Sequence, residues 1–442
     1  MLHPHSVLFL TPIQIQESIS VFLQRRNAQI VSAKVSKTGV SMDKRGKPKR
    51  VALVLPHLGP GGAQRVAATA ANALTELGVE MHVITILDDH ADSYKLDTRV
   101  LRHRKTGSQS GANSENSAAP IYETCNAEQP ARQFVRSFAR QSVLRRPLGA
   151  VAFAVNLTKK ARWLRRLIRS IRPDAMLSFL TQTNIITIVA TRGLGIRTIV
   201  SERNDPKLQQ HRRRVVALRK WTYPWANVVT ANTYGALSTM ESFVPREKLA
   251  FLPNPLKSDG LSASFSFAQP TLITVTRLVE QKGVDVLLEA AAIAFNKVPY
   301  WQLAIIGDGT LRHELQALAN KLGIAARVNW YGQVDNPISY LRAADAFILT
   351  SRFEGSPNAL LEAMACGLPP IVSDASPGPL ELVGNEAGLI VPTEDVNATA
   401  EAIVALTSDD KLRKRLGASA LERTRMHELD NAMQIWRELL RV

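Results

Sequence analysis

The chain is poor in cysteine and in long apolar runs, and both shortages narrow what it can be. Its 442 residues include two cysteines, Cys125 and Cys366, which have neither the spacing of a metal site nor that of a disulfide framework. A reducing compartment is therefore expected. The longest apolar run, near residues 148–156, is well short of the roughly 20 residues that a membrane-spanning helix needs.

Acidic residues are also scarce relative to basic ones. The chain has 55 Lys and Arg against 38 Asp and Glu, and twelve of the basic residues fall between Arg132 and Arg172, where no acidic residue occurs. The formal net charge of +17 indicates an anionic partner: nucleic acid, a membrane surface or a phosphorylated substrate. A nucleic-acid-binding module would interleave aromatic and basic residues or show a known motif. Neither is evident, so we expect no nucleic-acid partner.

Apolar runs typical of buried strands alternate with helical patterns, which predicts parallel sheets flanked by helices. The length exceeds the ~250–300 residues at which single cores stop growing. We therefore predict an α/β chain with two Rossmann-like, doubly wound parallel-sheet domains that face each other across a cleft. The predicted parts are a poorly ordered extension over residues 1–48, a first domain over 49–255, a linker over 256–270, a second domain over 271–425 and a terminal helix over 426–442. Within the first domain, residues 104–130 are expected to form a long loop.

The strongest site pattern is Ser-Arg-Phe-Glu-Gly-Ser-Pro-Asn-Ala-Leu-Leu-Glu over residues 351–362, directly after a predicted strand. Ser356 is a favourable N-cap and Pro357 suits the first helical position, so the N–H groups of the helix start should bind an anion. Glu354 precedes the cap and Glu362 lies about one and a half turns further in. This arrangement suits a nucleotide sugar, with Glu354 toward sugar hydroxyls and Glu362 toward ribose hydroxyls. A capped helix with two solvated glutamates is the alternative.

A second turn places two cations, Arg277 and Lys282, just past another predicted strand. Arginine offers a bidentate fork and lysine a point charge, and together they can neutralise a diphosphate leaving group. Because these side chains supply the positive charge, no metal ion or other cofactor is predicted. A solvated charged turn is the alternative interpretation.

Glycine-rich turns follow two further predicted strands. Gly61 and Gly62 lie after the first strand, where a missing third glycine argues against a dinucleotide cofactor, although the backbone can still approach a substrate closely. Gly307 and Gly309 are interpreted either as a backbone surface of the cleft or as a plain turn. The predicted catalytic residues are Glu354, Arg277 and Lys282, and the predicted donor-binding residues are Glu362, Gly355, Ser356, Pro357, Asn358, Gly307 and Gly309.

A basic amphipathic helix is predicted within the basic stretch, over about residues 158–171. Its apolar face consists of Ala161, Leu164, Leu167, Ile168 and Ile171, with Trp163 at the edge. Such a helix is typical of a membrane interface, so an anionic membrane surface is an expected partner. The alternative is a solvated helix packed on its own sheet.

At these residues the chain resembles family 4 of the retaining glycosyltransferases, which have the GT-B fold. The resemblance covers about residues 50–425 and implies that the terminal helix crosses back to the first domain. Its most specific element is the E-x7-E spacing from Glu354 to Glu362. The other matches are Arg277 and Lys282 with the donor-diphosphate residues, and Gly61 and Gly62 with the glycine turn of the acceptor-side domain.

Two stretches, residues 178–184 and 201–206, resemble the subset that extends polyprenyl-diphosphate-linked oligosaccharides. This resemblance implies retaining transfer of a hexosyl or N-acetylhexosaminyl group from a nucleotide sugar, with UDP favoured, to a lipid-linked saccharide acceptor. It also implies a cytoplasmic enzyme attached peripherally to the inner face of the plasma membrane. A transferase with a soluble acceptor and a non-hydrolysing nucleotide-sugar epimerase are the alternatives.

The chain departs from the family at one position. Many members carry a histidine after the fourth strand of the first domain, near the reacting sugar. Here that loop holds Thr181, Gln182 and Asn184. The polar group on the acceptor side is therefore open, with Arg203 and Asn204 as candidates.

Overall fold

The computed structural model describes residues 49–87, 90–105, 146–206, 209, 211–256 and 265–442. The predicted extension over residues 1–48 lies outside the described residues, as do most of the predicted loop and the middle of the predicted linker. The described chain is built on two separate sheets, each with its own set of helices.

The first domain contains a seven-stranded sheet in which paired strands are parallel. Its strands are β1 (Arg50–Leu55), β2 (Glu80–Thr85), β3 (Leu101–Arg104), β4 (Ala175–Phe179), β5 (Arg197–Glu202), β6 (Val228–Ala231) and β7 (Leu249–Phe251). Its helices are α1 (Gly62–Glu76), α2 (Arg146–Ile171), α3 (Thr181–Thr191), α4 (Arg213–Thr222) and α5 (Tyr234–Met240). The strand order is β3-β2-β1-β4-β5-β6-β7.

The second domain contains a six-stranded parallel sheet. Its strands are β8 (Thr271–Val275), β9 (Gln302–Ile306), β10 (Val328–Gly332), β11 (Ala346–Leu349), β12 (Pro370–Ser373) and β13 (Leu389–Val391), in the order β10-β9-β8-β11-β12-β13. The helices that follow are α6 (Val284–Phe295), α7 (Arg312–Lys321), α8 (Pro337–Ala343), α9 (Asn358–Ala365), α10 (Pro377–Val383), α11 (Val396–Ser408), α12 (Asp410–Arg423) and α13 (Leu429–Leu440). Two doubly wound parallel sheets are the predicted fold class, which is confirmed.

Local sequence explains why these elements form where they do. Helices cover both faces of each sheet, so residues 51–55 of β1 form an uninterrupted buried apolar run. Several helices begin at side-chain caps: Thr233 accepts the N–H of Ala236 at α5, and Asp395 accepts the N–H of Ala398 at α11. Apolar strands set the sheets, and polar caps set the ends of the crossovers.

Helix α2 is longer than predicted, and its apolar face is turned inward. It begins at Arg146 rather than near residue 158. Ala161, Leu164 and Ile168 are at most 5% exposed and share one cluster with apolar side chains of β1 and β4. The prediction that this face meets a membrane is therefore wrong. The structure supports the alternative, a helix packed on its own sheet, because that face of the parallel sheet needs apolar cover.

The chain crosses between the domains twice, and the two crossings lie side by side. Leu256 forms a parallel bridge with Glu428, and its N–H donates to the carbonyl of His427 at 2.7 Å. Helix α13 then packs on the first sheet. Trp436 is fully buried there, and its Nε1 donates to the carbonyl of Pro253 at 3.0 Å. The terminal helix therefore belongs to the core of the first domain.

The topology brings the predicted site residues to two switch points. The strand order reverses between β1 and β4 in the first sheet and between β8 and β11 in the second. Doubly wound sheets bind ligands at such points, beyond the carboxyl ends of the strands. The segments that follow these four strands, up to the first turn of the next helix, hold Gly61 and Gly62, Thr181, Arg277 and Lys282, and Glu354.

Candidate active site

The centre of the candidate site is an ion pair between two loops of the second domain. Lys282, which follows β8, donates through Nζ to Oε1 of Glu354. The hydroxyl of Ser351 donates to the same oxygen at 2.8 Å, and the N–H of Glu354 donates to Oγ of Ser376 at 3.0 Å. The side chains of Lys282 and Glu354 are only 14% and 8% exposed. The pair is thus held in one geometry by its own domain.

Arg277 lies on the same rim and is exposed. Its Nη2 donates to Oε1 of Gln281 at 3.3 Å, and Nε2 of Gln281 donates to the carbonyl of Phe353 at 3.0 Å. Gln281 therefore ties the guanidinium to the loop that carries Glu354. The structure brings both predicted cations to the turn where the diphosphate site was predicted.

Gly307 and Gly309 support the loop of Arg277. A Cβ on Gly307 would lie 1.8 Å from the carbonyl oxygen of Thr276, and one on Gly309 would lie 2.3 Å from that of Leu278. Gly307 also has a φ of 126°, which favours glycine. The N–H of Leu278 donates to the carbonyl of Asp308 at 3.0 Å. The close approach of two backbone turns explains both glycines, and their contact with a donor stays a prediction.

Helix α9 begins at Asn358, one residue later than predicted. Pro357 has φ −72° and ψ 114°, an extended conformation, so it precedes the helix instead of occupying its first position. The hydroxyl of Ser356 makes no capping hydrogen bond. The N-cap prediction for Ser356 is therefore wrong, because the extended proline places the serine one residue too far from the first helical N–H groups. Those N–H groups still point out of the helix start.

Three buried polar atoms in the segments that carry the predicted donor residues lack a hydrogen-bond partner among the described residues. They are Oγ of Ser356, Oε2 of Glu362 and Oγ1 of Thr276. Within the described part of the second domain, no other buried side-chain oxygen or nitrogen is in this state. An unpaired buried polar group costs about 1–3 kcal/mol. Ser356 and Glu362 flank the start of α9 and Thr276 precedes Arg277, so all three atoms belong to the segments that carry the predicted donor residues.

Glu362 also reaches the first domain. Its Oε1 accepts a hydrogen bond from Nη2 of Arg65 on α1. Burial raises the pKa of Glu362, while the nearby guanidinium of Arg65 acts in the opposite direction. With Oε1 bonded to Arg65, Oε2 is the oxygen that a ligand hydroxyl can use.

The predicted glycine turn of the first domain faces the start of α9. A Cβ on Gly62 would lie 3.0 Å from Nδ2 of Asn358, which donates to the carbonyl of Gly62 at 3.3 Å. Nδ2 of Asn254 donates to Oδ1 of Asn358 at 2.6 Å. The N–H of Gly61 donates to the hydroxyl of Tyr94 at 3.0 Å, which fixes the turn. Small residues here let the two domains touch.

Arg203 and Asn204 lie against the same motif with opposite side-chain orientations. A Cβ on Gly355 would lie 2.6 Å from the carbonyl oxygen of Arg203 and 2.7 Å from Oδ1 of Asn204. The Arg203 side chain is buried and donates to Oγ of Ser201 and Oδ1 of Asn254. Burial lowers the pKa of Arg203 to about 9. Asn204 is the exposed member of the pair.

The structure adds a histidine that sequence analysis did not place here. Nε2 of His211 lies 3.1 Å from Oγ1 of Thr181, the first residue after the fourth strand and its loop. Oε1 of Gln209 lies 3.1 Å from the same nitrogen. The segment after β4 contains no histidine, as the sequence showed. His211 reaches Thr181 there from a position 30 residues later in the chain.

A buried network supports the neighbours of this histidine. Glu202, at the end of β5, is fully buried and accepts hydrogen bonds from Thr181, at 2.9 Å, and from Tyr223. Nδ2 of Asn184 donates to the hydroxyl of Tyr223 at 3.0 Å. Burial raises the pKa of Glu202, and the hydroxyl of Tyr223 acts in the opposite direction. The network fixes Thr181 at the carboxyl end of the sheet, where His211 makes its contact.

Within the ranges that the structure describes, no cluster of three or more His, Cys, Asp and Glu side chains is placed to hold a metal ion. No helix among these residues combines the length and the apolar character that a bilayer span requires.

Known protein families match both domains of the chain. The model for glycosyl transferases group 1 matches residues 264–423, and the model for the glycosyl transferase 4-like domain matches residues 61–255. The chain is 28% identical over 402 residues to a Campylobacter jejuni protein named GalNAc-alpha-(1->4)-GalNAc-alpha-(1->3)-diNAcBac-PP-undecaprenol alpha-1,4-N-acetyl-D-galactosaminyltransferase, with 88% of this chain and 98% of that protein covered.

Two further matches agree with this one. A second C. jejuni protein, named N-acetylgalactosamine-N,N'-diacetylbacillosaminyl-diphospho-undecaprenol 4-alpha-N-acetylgalactosaminyltransferase, is 25% identical, with 83% of this chain and 92% of that protein covered. The structure of Anabaena HepE in complex with UDP superposes with a TM-score of 0.64 at 16% identity, covering 89% of this chain and 99% of that one. The chain therefore belongs to family 4 of the glycosyltransferases and has the GT-B fold.

Proposed function

We propose that this glycosyltransferase moves a sugar from a UDP-sugar to a saccharide carried on polyprenyl diphosphate, with retention of configuration. The observation that carries the donor half is that Arg277 and Lys282 are tied to the loop of Glu354, beside unpaired buried atoms of Ser356 and Glu362 that flank the start of α9. The acceptor half is supported by the two C. jejuni relatives, whose names give undecaprenyl-diphosphate-linked substrates. The UDP bound in Anabaena HepE supports a uridine nucleotide as the carrier of the donor sugar.

In this proposal the donor diphosphate lies between the start of α9, Arg277 and Lys282. When the bond between the anomeric carbon and the β-phosphate oxygen breaks, its electrons remain on that oxygen. The two cations and the helix N–H groups stabilise this developing charge without reorganising. Glu354 orients Lys282 and faces the sugar hydroxyls, while Oε2 of Glu362 accepts from a ribose hydroxyl. Positive charge thus comes from side chains rather than from a metal ion.

We assign the acceptor side to His211 and Asn204. The imidazole lies at the carboxyl end of β4, and Asn204 lies against Gly355 of the donor loop. Retention requires the acceptor hydroxyl to approach on the face from which the diphosphate leaves. The departing phosphate oxygen can then take the hydroxyl proton, and His211 orients the acceptor by a hydrogen bond. Arg203 is a weaker candidate because its guanidinium is occupied inside the first domain.

A lipid-linked acceptor requires contact with a membrane, and α4 offers a surface for it. Trp221 is 62% exposed, and its ring meets that of Trp225 at 4.4 Å between centroids. The guanidinium of Arg192 lies 3.8 Å from the centre of the Trp225 ring. Arg213 and Lys220 are exposed on the same helix, seven positions apart and therefore on one face. We call these five residues the basic aromatic patch.

Exposed tryptophans with flanking cations suit an anionic bilayer surface. We therefore propose peripheral attachment to the inner face of the plasma membrane through the basic aromatic patch rather than through α2. Trp221→Ala is expected to reduce binding to phosphatidylglycerol vesicles in a flotation assay. Tyr300→Ala, which removes a 76% exposed aromatic side chain from the second domain, is the matched control. Equal binding to neutral and anionic vesicles, or no effect of Trp221→Ala, would contradict this surface.

The function is tested by a donor screen. The purified full chain is incubated with lipid-linked glycans extracted from membranes and with a panel of UDP-, GDP- and ADP-sugars, and products are identified by mass spectrometry. We expect one UDP-sugar to add a residue to the lipid-linked acceptor, with no loss when EDTA is present. Transfer from a GDP- or ADP-sugar would refute the donor, and transfer only to a soluble sugar phosphate would refute the acceptor.

A further inference from the structure

Helix α10 of the second domain reaches the first domain through one carboxylate. The two oxygens of Glu381 accept the N–H groups of Tyr234 and Gly235, each at 2.6 Å. These residues begin α5, where the next N–H, that of Ala236, is capped locally by Thr233. The first domain therefore leaves two backbone donors at this helix start that the second domain satisfies.

The contact is close and deeply buried. A Cβ on Gly235 would lie 2.9 Å from Cβ of Pro377 and 3.1 Å from Oε1 of Glu381. Burial raises the pKa of Glu381 to about 7, the carboxylate of Asp205 acts in the same direction, and the two N–H donors act in the opposite one. On its other side, Arg423 of α12 donates to the carbonyl of Glu381 at 2.8 Å. A charged group in such a place is tolerated only while its donors remain.

The same helix also presses on the donor loop. Oγ of Ser376, the residue before α10, accepts the N–H of Glu354 at 3.0 Å. A Cβ on Gly378 would lie 1.5 Å from the carbonyl oxygen of Gly355, so the two backbones are in direct contact. Because packed backbones transmit displacement, a shift of α10 relative to the first domain also shifts the turn that holds Glu354.

We propose that Glu381 is a positioning residue that latches the two domains together and thereby sets the Glu354 turn for the donor. Glu381 acts through α10 and does not touch the substrate. The identity of the donor rests on the proposed function, whereas the latch itself is a property of the ligand-free chain. The two claims can therefore be tested separately.

Domain closure is measured first, without ligand, by fluorescence energy transfer between one label on each domain. Ser170→Cys on α2 and Glu289→Cys on α6 provide exposed attachment points. Cys125 and Cys366 are replaced by serine in the same chain so that no other thiol reacts. Far-UV circular dichroism establishes that each variant is folded.

Glu381→Ala and Gly235→Ala damage the contact from opposite sides, the first by removing the acceptor and the second by inserting a methyl group. Each is expected to lower the transfer efficiency, and the double variant is expected to add little, because both act on one contact. Glu401→Gln, an exposed glutamate on α11, is the matched control and leaves the efficiency unchanged. Unchanged efficiency in both single variants overturns the latch.

The pH dependence of domain closure is a further test, because a purely structural role of Glu381 would not produce it. Burial between the domains raises the pKa of Glu381 to about 7, well above the ordinary range of a glutamate, so on this proposal closure takes up a proton. The wild-type chain is therefore expected to shift toward the open form as the pH rises through about 7. Glu381→Gln removes this dependence, because its amide does not titrate, and a retained dependence contradicts the role of Glu381.

UDP binding then links the latch to the donor. The Kd of UDP is expected to rise about tenfold in Glu381→Ala, the loss typical of hydrogen bonds to a charged group. A wild-type chain that closes as described but binds no UDP retains the latch and overturns the UDP donor. A Glu381→Ala chain that opens but binds UDP with unchanged Kd overturns the link between the latch and the donor loop.

Discussion

The two halves of the candidate site are assembled in different ways. In the second domain, two short segments, residues 276–282 and 351–362, supply the cations and carboxylates and leave buried polar atoms unpaired. In the first domain, Thr181, Glu202 and Tyr223 come from distant segments and bond chiefly to one another. Unpaired groups are prepared for a ligand, whereas groups that satisfy one another hold a shape. On the proposed function, the second domain therefore binds the donor and the first domain holds the acceptor in position.

The first domain is not wholly satisfied either, because Arg219, Thr187 and Asn232 have buried side-chain atoms with no partner among the described residues. Arg219 is buried, and its Nε and Nη1 have no partner among the described residues. Its charge lowers the pKa of Glu202, against the larger effect of burial. Arg219 therefore acts on Glu202 through its charge.

The largest effect on activity is expected from substitutions in the donor half of the site, in the second domain. Lys282→Ala and Glu354→Ala should each lower kcat by ~10²–10³, the loss typical when a preorganised group that stabilises transition-state charge is removed. Steady-state transfer assays measure this effect, with Glu289→Gln on the exposed face of α6 as the control. Near-wild-type activity in either variant would mean that the ion pair is only structural.

A smaller effect is expected from the acceptor half. His211→Ala should lower kcat by roughly 10-fold, because it removes one hydrogen bond that orients the acceptor, while the KM for the donor stays unchanged. His313→Ala, an exposed histidine on α7, serves as the control. If His211→Ala instead raises the donor KM, the division between a binding half and a presenting half fails.

Glu362 tests the difference between the two domains because it lies in the second domain and accepts a hydrogen bond from Arg65 of the first. Glu362→Gln keeps the shape but weakens the bond to Arg65 and the acceptor offered by Oε2, so the Kd of UDP should rise about tenfold. Isothermal titration calorimetry measures this shift. The variant Arg65→Ala should have a smaller effect, since it leaves Oε2 in place, and the reverse order would argue against a ribose contact.

The smallest effect at neutral pH concerns the crossing between the domains. Burial lowers the pKa of His427 to about 4, so the folded chain keeps it neutral while the unfolded chain takes up a proton. Stability is therefore lost as the pH falls from about 6.5 to about 4, by up to about 3 kcal/mol. Urea unfolding at pH 7 and pH 4.5 should show a smaller difference for His427→Gln than for wild type or His313→Gln.

The sequence predicted most of the fold and the positions of the candidate donor residues for a shared physical reason. Parallel strands such as β1 and β8 are continuous apolar runs, and the E-x7-E motif falls within one loop and helix, so both are local signals. The edge strand β3, with the sequence Leu-Arg-His-Arg, lacks such a run and was missed. The position of His211 depends on tertiary packing, which no local pattern reports. The apolar face of α2 was misread because core and membrane contacts need the same pattern.

The central claim is that Arg277 and Lys282 grip a diphosphate at the start of α9. The most direct measurement compares the affinities of UDP and uridine for the wild type and for the Arg277→Ala/Lys282→Ala double variant, with GDP and guanosine in parallel. The wild type should prefer UDP by at least ~10²-fold, because charge-assisted bonds to phosphate are strong. The double variant should lose nearly all of this preference. A double variant that still prefers the diphosphate as strongly as the wild type would contradict the account.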